Sequence, residues 1–334
     1  MLGKEPLDFL AVGDVVTDAF IKLSAAWVDE ETPKHPQGLC VNFGDKVPYD
    51  EVEVIRAVGN AANAAAASAK LGLKTALVVW VGDDEEGRKC RETIRAAGVS
   101  DEFVTTEAGK PTNYHYVLRF GPERTILVKH TLWSYRFPEV TPAPRWIYLS
   151  SLAKDTESYH DEISDYLDRH PETKLALQPG TFQMKLGAAR LKRLYRRSDI
   201  FFCNREEAAR ILEIPPAPVV ELLPKVRALG PKIAVITDGP DGAFAQDESG
   251  ATFFVPMFPD AATPISRTGA GDACGSTITA ALALGLPLQE ALRWGPVNSA
   301  AVVQKVGAQT GLLSRAELES RLAGAPAEYT VTTV

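Results

Sequence analysis

The stretch Arg267-Thr-Gly-Ala-Gly-Asp-Ala-Cys-Gly275 decides how the rest of the chain is read. It opens a long apolar helical pattern through Ile278, Ala281, Leu282 and Leu284 to Gly285. Three small residues, Gly269, Ala270 and Gly271, immediately precede Asp272, so bare backbone N–H groups are expected at a helix N-terminus. Such an end carries unsatisfied donors and roughly half a positive charge, which suits a phosphate or a transition-state oxyanion. A carboxylate one step further on is a poor phosphate ligand and a good proton acceptor. These residues therefore predict an anion cradle with a general base beside it. They are equally compatible with a tight turn whose Asp favours the helix dipole. The G-x-G spacing partly matches a dinucleotide fingerprint, but Cys274 takes the third glycine position. Pro259–Ser266 is polar and turn-like, so no strand leads in.

Outward from this motif, the chain alternates between short apolar runs and helical patterns. Phe9–Val12, ending at Gly13, reads as a buried first strand. Val58-Gly-Asn-Ala-Ala-Asn63 opens an alanine-rich helix to Leu71, stopped by Gly72, and alanine is the best helix former. Thr75–Val81 is a β-branched strand, followed by Gly82-Asp-Asp84 and a helix over Glu85–Ala97 that Gly98 ends. Ile147–Leu149, Leu175–Leu177, Ile200–Cys203 and Ile233–Thr237 repeat the pattern, and helices are expected over 271–284, 289–305 and 315–322. The alternation predicts an α/β fold with a mostly parallel sheet covered on both faces.

Two stretches differ. Tyr114–Leu118 and Arg124–Lys129 alternate in polarity and read as a β-hairpin, while residues 24–50, with Pro33, Pro36, Gly38, Gly44 and Pro48, read as irregular and peripheral. The expected organisation is a large domain from residues 1–16, 55–112 and 142–330. A β-rich second layer over 17–54 and 113–141 would act as a lid over a cleft.

The totals exclude several classes. Lys+Arg 36 against Asp+Glu 43 gives a net charge of −7, which disfavours nucleic acid and anionic membrane surfaces as partners. Any phosphate site must then use local charge and backbone dipoles. Cys40, Cys90, Cys203 and Cys274 are scattered without C-x-x-C, which argues against a disulfide framework or a zinc site. No apolar run reaches membrane-spanning length and no leader pattern stands at the N-terminus, so a cytoplasmic location is expected.

In open α/β sheets ligands bind beyond the C-terminal ends of the strands. Asn204-Arg-Glu-Glu207 follows one such end. It reads as a capping box, and also as a place for Glu207 to order a metal-bound water. Thr237-Asp-Gly-Pro-Asp-Gly242 follows the next, either as a turn between strands or as a place for Thr237 and the Gly239 backbone against a nucleotide. The absence of G-x-x-x-x-G-K-[ST] excludes a P-loop enzyme.

In this order the motifs resemble those of the ribokinase-like carbohydrate and nucleoside kinases, the PfkB family. Arg267-Thr-Gly-Ala-Gly-Asp272 is similar to the family's second signature, D-x-T-G-A-G-D, and Val58–Asn63 to the first, G-G-N-x-A-N. Gly82–Gly87 resembles the G-x-D-x-x-G segment, Asn204–Glu207 the N-x-x-E motif, and Gly121–Val128 the lid ribbon. The resemblance implies a three-layer α/β/α sandwich with a small β-sheet lid, and an ATP-dependent kinase acting on a hydroxyl of a small sugar. It implies that Asp272 is the base and that Gly269, Ala270 and Gly271 form the anion hole. Asp18, Gly59, Asn60, Asn63 and Asn113 would bind the acceptor, and Asn204, Thr237, Gly239, Gly242 and Asn298 the nucleotide. Glu207 would act through Mg²⁺, and lid strands pairing between subunits would make a homodimer.

This chain departs from the family pattern in places. Ser266 stands where the second signature begins with Asp, which weakens the resemblance at a K⁺ site that would use Ser266 and Thr268. Val58 replaces the first glycine of the G-G pair, and Gln178-Pro-Gly180 an Asp- or Asn-containing segment. Cys274 takes an aromatic's place, which reads as packing. Arg119, Arg124, Lys129 and Arg267 read as surface charges or as ligands for a phosphate on the acceptor. The alternatives are a nucleoside kinase, with an aromatic clamp from Phe20, Tyr116 or Trp133, a kinase-fold protein without turnover, and a dehydrogenase. The acceptor, ATP against ADP as donor, and the oligomeric state are left open by the sequence.

Overall fold

A computed structural model describes residues 5–30, 37–121 and 123–334. Pro33, Pro36 and Pro122 lie outside the described residues. Among those described, a ten-stranded sheet runs through the molecule. From one edge the strands are Val104–Glu107, Thr75–Gly82, Phe9–Val12, Trp146–Leu149, Lys174–Leu177, Ile200–Asn204 and Ile233–Thr237, all parallel. Ala243–Gln246, Thr252–Val255 and Thr332–Thr333 continue it antiparallel.

The central strands read as continuous apolar runs because both of their faces are covered. Phe9 and Ala11 join the core that contains Leu77, Ile278 and Trp294. Leu10 and Val12 point the other way, towards Tyr159, Leu167 and Leu222, as the two-residue period of a strand requires. Helices Asn60–Lys70, Ala270–Ala283 and Leu288–Val302 cover the first face, and Glu157–Arg169, Arg205–Ile211 and Val219–Arg227 the second. The result is the expected three-layer α/β/α sandwich. Burying one Leu, Val or Phe side chain in such a layer contributes about 1.5–3 kcal/mol. On the first face the helices approach closely: a Cβ at Gly295 would sit 2.8 Å from Ile278 Cγ1 and 2.9 Å from Cys274 Sγ. Cys274 is therefore a packing residue.

A second sheet of four strands, in the order Glu51–Val58, Val16–Lys22, Tyr114–Phe120 and Glu123–Leu127, lies beside the large one. Glu51–Val58 runs across the boundary expected at residue 54, because it pairs with Val16–Lys22 from Val16↔Val58 to Lys22↔Glu51 around one bulge. The stretch expected to be irregular contains an antiparallel pair, Trp27–Asp29 with Gly38–Cys40. Strands of three residues carry too little periodicity to be legible in advance.

Candidate active site

Because seven strands are parallel, their C-terminal ends share one edge, and the polar residues after them converge there. A cleft of about 280 Å³ opens at this edge, lined among others by Asn60, Gln178, Glu207, Thr237, Gly271 and Asp272. Asp272 lies in the first turn of Ala270–Ala283 and is 8% exposed. Its Oδ1 accepts from Asn60 Nδ2 at 2.8 Å and its Oδ2 from Asn63 Nδ2 at 2.8 Å. Burial pushes its carboxyl up to about 6, the two amide bonds oppose that, and the Glu207 charge adds to it. A buried carboxylate held at both oxygens and titrating near neutrality is poised to accept a proton.

The helix end beside it is open. Gly269, the residue before the helix, has φ +83° and gives no side-chain cap. A Cβ there would also lie 2.4 Å from Ala308 Cβ, so only glycine fits. The Ala270 N–H makes a long bond of 3.4 Å to the Arg267 carbonyl. Among the described residues the amides of Gly269, Gly271 and Asp272 have no backbone or side-chain acceptor. Thr268 N–H donates to Ser266 Oγ at 3.2 Å, while Thr268 Oγ1 is buried without a partner.

The neighbouring strand end is closed. Asn204 Oδ1 accepts from Glu207 N–H at 2.8 Å and Glu207 Oε2 from Asn204 N–H at 2.9 Å, a complete capping box. Burial raises the Glu207 carboxyl. Its Oε1 has no protein partner among the described residues. Next along, Thr237 lines the cleft, and Gly239–Asp241 forms a 3₁₀ turn between antiparallel strands.

The structure does not bring every expected residue to the cleft. Asn298 is fully buried, donating to Thr277 Oγ1 at 2.8 Å and accepting from Leu313 N–H at 3.0 Å. Gly242 belongs to the turn, since a Cβ there would meet the Val255 carbonyl at 2.5 Å. Asn113 ties loops together through Val15 O and Thr131 N. Gly59, at φ +105°, lies against the backbone of Asp14, with 2.8 Å from its would-be Cβ to Asp14 O. Asp18 lies on the second sheet, its Oδ1 3.5 Å from His115 Nδ1.

Three residues are more important here than the sequence suggested. Arg124, from the hairpin of the second sheet, reaches the cleft. Gln178 lines it and accepts from the buried Tyr148 hydroxyl. Gln309 donates to Asn63 Oδ1 at 3.0 Å and to Ala57 O at 2.8 Å, which turns the Asn63 amide so that its NH₂ faces Asp272. Gln178 and Arg124 carried a signal, one at a strand end and one in a basic hairpin. Gln309 carried none.

Fold and site together define a phosphotransferase that acts on an alcohol group. The model of the pfkB family of carbohydrate kinases matches residues 38–315, and the chain belongs to that family. It is 29% identical to a ribokinase of Bacillus subtilis over 277 residues, covering 79% of this chain and 87% of that protein. It is 26% identical to a nucleoside kinase of Methanothermobacter thermautotrophicus over 268 residues, 79% of this chain and 83% of that one. In three dimensions it is similar to the Arabidopsis thaliana ribokinase solved with ribose and ATP, with TM-score 0.77, 19% identity, and coverage of 95% of this chain and 99% of that one.

Proposed function

We propose that the chain transfers the γ-phosphoryl group of ATP to a hydroxyl of a small sugar, with Asp272 as general base and the Gly269-Ala270-Gly271 helix end as anion hole. The observation that carries this reading is the buried Asp272 carboxylate, fixed by Asn60 and Asn63 beside an uncapped helix N-terminus in the cleft. Phosphoryl transfer needs positioning, charge neutralisation and exclusion of water more than covalent help. Asp272 accepts the acceptor's proton as the oxygen–phosphorus bond forms, and the amides of Gly269, Ala270 and Gly271 bear the charge on the transferred group. Thr237, Gly239 and Asn204 border the nucleotide, and Asn60, which lines the cleft beside Asp272, the acceptor.

Mg²⁺, when bound with the nucleotide, would supply charge neutralisation at its phosphates. The residues fit it. Glu207 offers one unpartnered carboxylate oxygen at the cleft, and Mg²⁺ keeps most of its waters rather than requiring a full protein cage. Among the described residues no group of three or more His, Cys, Asp or Glu side chains is arranged to hold a metal ion by itself. The second sheet, reaching in with Arg124, acts as the lid that excludes water.

The experiment is ADP release across free sugars, sugar phosphates and nucleosides. Asp272→Asn should lower turnover by about 10²–10⁴-fold with nucleotide affinity kept within about threefold. A loss below tenfold rejects the assignment. A nucleoside acceptor is the second reading, favoured by Phe20, which lies on the same face of its strand as Asp18.

We also infer a homodimer through the lid. Val54, Ala19, Tyr116 and Leu127 stand side by side across its four strands, and Val54, Tyr116 and Leu127 are exposed at 36%, 48% and 52%. Three exposed apolar side chains on one sheet face, around the buried Ala19, mark a contact surface. Sedimentation equilibrium should give twice the chain mass, and Tyr116→Lys with Leu127→Lys the monomer. A monomeric wild type at micromolar concentration refutes the inference.

A further inference from the structure

Gln178 lines the cleft, yet its side chain takes no part in the bonds that hold Asp272 or Glu207. It follows directly on the strand Lys174–Leu177, and its loop is pinned from inside the core. Gln178 N–H donates to Leu149 O at 2.9 Å, and two residues on Gly180 N–H donates to Gln183 Oε1 at 2.8 Å. Gln183 Nε2 lies 3.1 Å from Nε2 of the buried His160, whose Nδ1 is 2.7 Å from Thr156 O. A carbonyl only accepts, so Nδ1 carries the ring proton and Nε2 accepts from Gln183.

The amide of Gln178 is turned one way. Tyr148 is fully buried, and its hydroxyl has Gln178 Oε1 as its one hydrogen-bond partner among the described residues. Burial, and after it the charge of Asp272, push the phenol well above its ordinary range, so the hydroxyl keeps its proton. A buried O–H has to donate, which places Oε1 towards Tyr148 and leaves Nε2 for the cleft. There Nε2 stands 3.7 Å from the place a Cβ would take on Gly271, and among the described residues it has no acceptor. Gly275, one turn further along the helix, makes room for the pair. A Cβ there would meet Tyr148 Oη at 2.9 Å and Gln178 Oε1 at 3.0 Å.

A fixed, unsatisfied donor therefore faces the first turn that carries Asp272. Its neutrality suits the place. A lysine there would pair with Asp272 and lower its proton affinity, and a carboxylate would repel phosphate oxygens. An amide does neither. We propose that Gln178 is a catalytic residue whose Nε2 donates to an oxygen of the phosphoryl group in transfer, alongside the amides of Gly269–Gly271, and that Tyr148 is the positioning residue that turns it there. This rests on the kinase reading above and deepens it. As the acceptor oxygen bonds to the γ-phosphorus, its proton passes to Asp272 and the bond from that phosphorus to the bridging oxygen of ADP breaks. The charge stays on the oxygens of the group in flight, where a donor oriented beforehand costs no reorganisation. Its contribution belongs to kcat rather than to KM.

The test uses the full-length protein with ATP and Mg²⁺, and whichever of D-ribose, D-fructose, ribose 5-phosphate and adenosine releases most ADP. Gln178→Met keeps the length of the side chain without the donor. It should lower kcat by about a hundredfold, the loss expected for one oriented donor, with both KM values within about threefold of wild type. Gln178→Glu still accepts from Tyr148 but turns a carboxylate oxygen to the cleft, and its kcat should fall below that of the Met variant. Tyr148→Phe should lower kcat by about tenfold in the wild-type background and by nothing further in Gln178→Met, whereas a role in packing alone would add in both. Circular dichroism should be unchanged throughout. A kcat within about threefold of wild type in both Gln178 variants overturns the proposal, as does a loss confined to KM. A Tyr148→Phe loss that persists in full beside Gln178→Met overturns the positioning role. All three leave the kinase reading standing. No ADP release by the wild type with any of the four acceptors overturns that reading and this one with it.

Discussion

Two helices begin at the rim of the same cleft, and their first turns are built in opposite ways. Arg205–Ile211 is closed by its own chain: Asn204 and Glu207 exchange bonds of 2.8 and 2.9 Å, so two backbone donors are satisfied within the protein. Ala270–Ala283 begins at a glycine that gives no side-chain bond, and its first turn has only one long amide contact. A glycine cap costs only about a few tenths of a kcal/mol relative to Ser, Thr, Asp or Asn at that position. The longer helix tolerates it because it is anchored along its length by Cys274, Ile278, Ala280 and Ala281 in the core. The closed end serves the fold and aims Glu207. The open end leaves its amides available, as the proposed anion hole requires.

Closing the open end is the most damaging way to probe this difference. Gly269→Ala places a Cβ 2.4 Å from Ala308 Cβ at φ +83°, where an L side chain is strained. The backbone must shift, and the amides leave the positions that the transferred group needs. Turnover should fall by about 10²–10³-fold, the loss expected for one misplaced anion-hole donor, and stability by about 1–3 kcal/mol. Turnover within threefold of wild type, measured at saturating ATP, would mean that the open end is only a turn.

The second probe asks what holds the base. Burial pushes the Asp272 carboxyl up to about 6, and as the proposed base it would have to be ionised to act, so kcat/KM should fall about tenfold per pH unit below that value and level off above it. Linkage gives the stability consequence. The folded pKa is raised above 3.8, so the stability this group contributes is complete below about pH 4 and lost as pH rises through about 6. Gln309→Leu releases the Asn63 amide, whose bond is one of the two that lower the Asp272 pKa. The acid limb should therefore move to higher pH and activity at pH 7 should drop severalfold, with the limb restored towards wild type by Gln309→Asn. An unmoved limb in the Leu variant would show that Gln309 only packs.

The sheet and most of its helices were legible because they rest on short-range regularities: β-branched runs, an alanine-rich helix, and glycines such as Gly72 and Gly98 that take positive φ where a helix ends. The uncapped helix start with Asp272 in its first turn was legible for the same reason, since its residues are adjacent in sequence. What was illegible depends on distant partners. Gln309 meets Asn63 across 246 positions and sits in a loop with no periodicity. The two asparagines of the first signature were read as acceptor ligands, and they donate to Asp272 from more than 200 positions away. Asn298 shows the converse, since a polar residue on a helix can as well knit the core, here to Thr277 and Leu313.

The mildest probe opens the closed end. Asn204→Ala removes the side-chain acceptor for Glu207 N–H, while the backbone N–H at 204 still donates to the Glu207 carboxylate. Stability should drop by about 1 kcal/mol, the usual loss for an N-cap replaced by alanine. Turnover should stay within about threefold at saturating Mg²⁺, because no amide of the anion hole moves. The Mg²⁺ concentration for half-maximal activity should stay close to that of wild type, because the backbone N–H that aims the Glu207 carboxylate is kept. Asn204→Asp, which still accepts from the Glu207 amide, should recover the stability but shift the metal dependence, since it adds a second negative charge beside Glu207. A fall in turnover as deep as that of Gly269→Ala would mean that the two helix ends are not divided into one for the fold and one for the ligand, and that both serve the nucleotide.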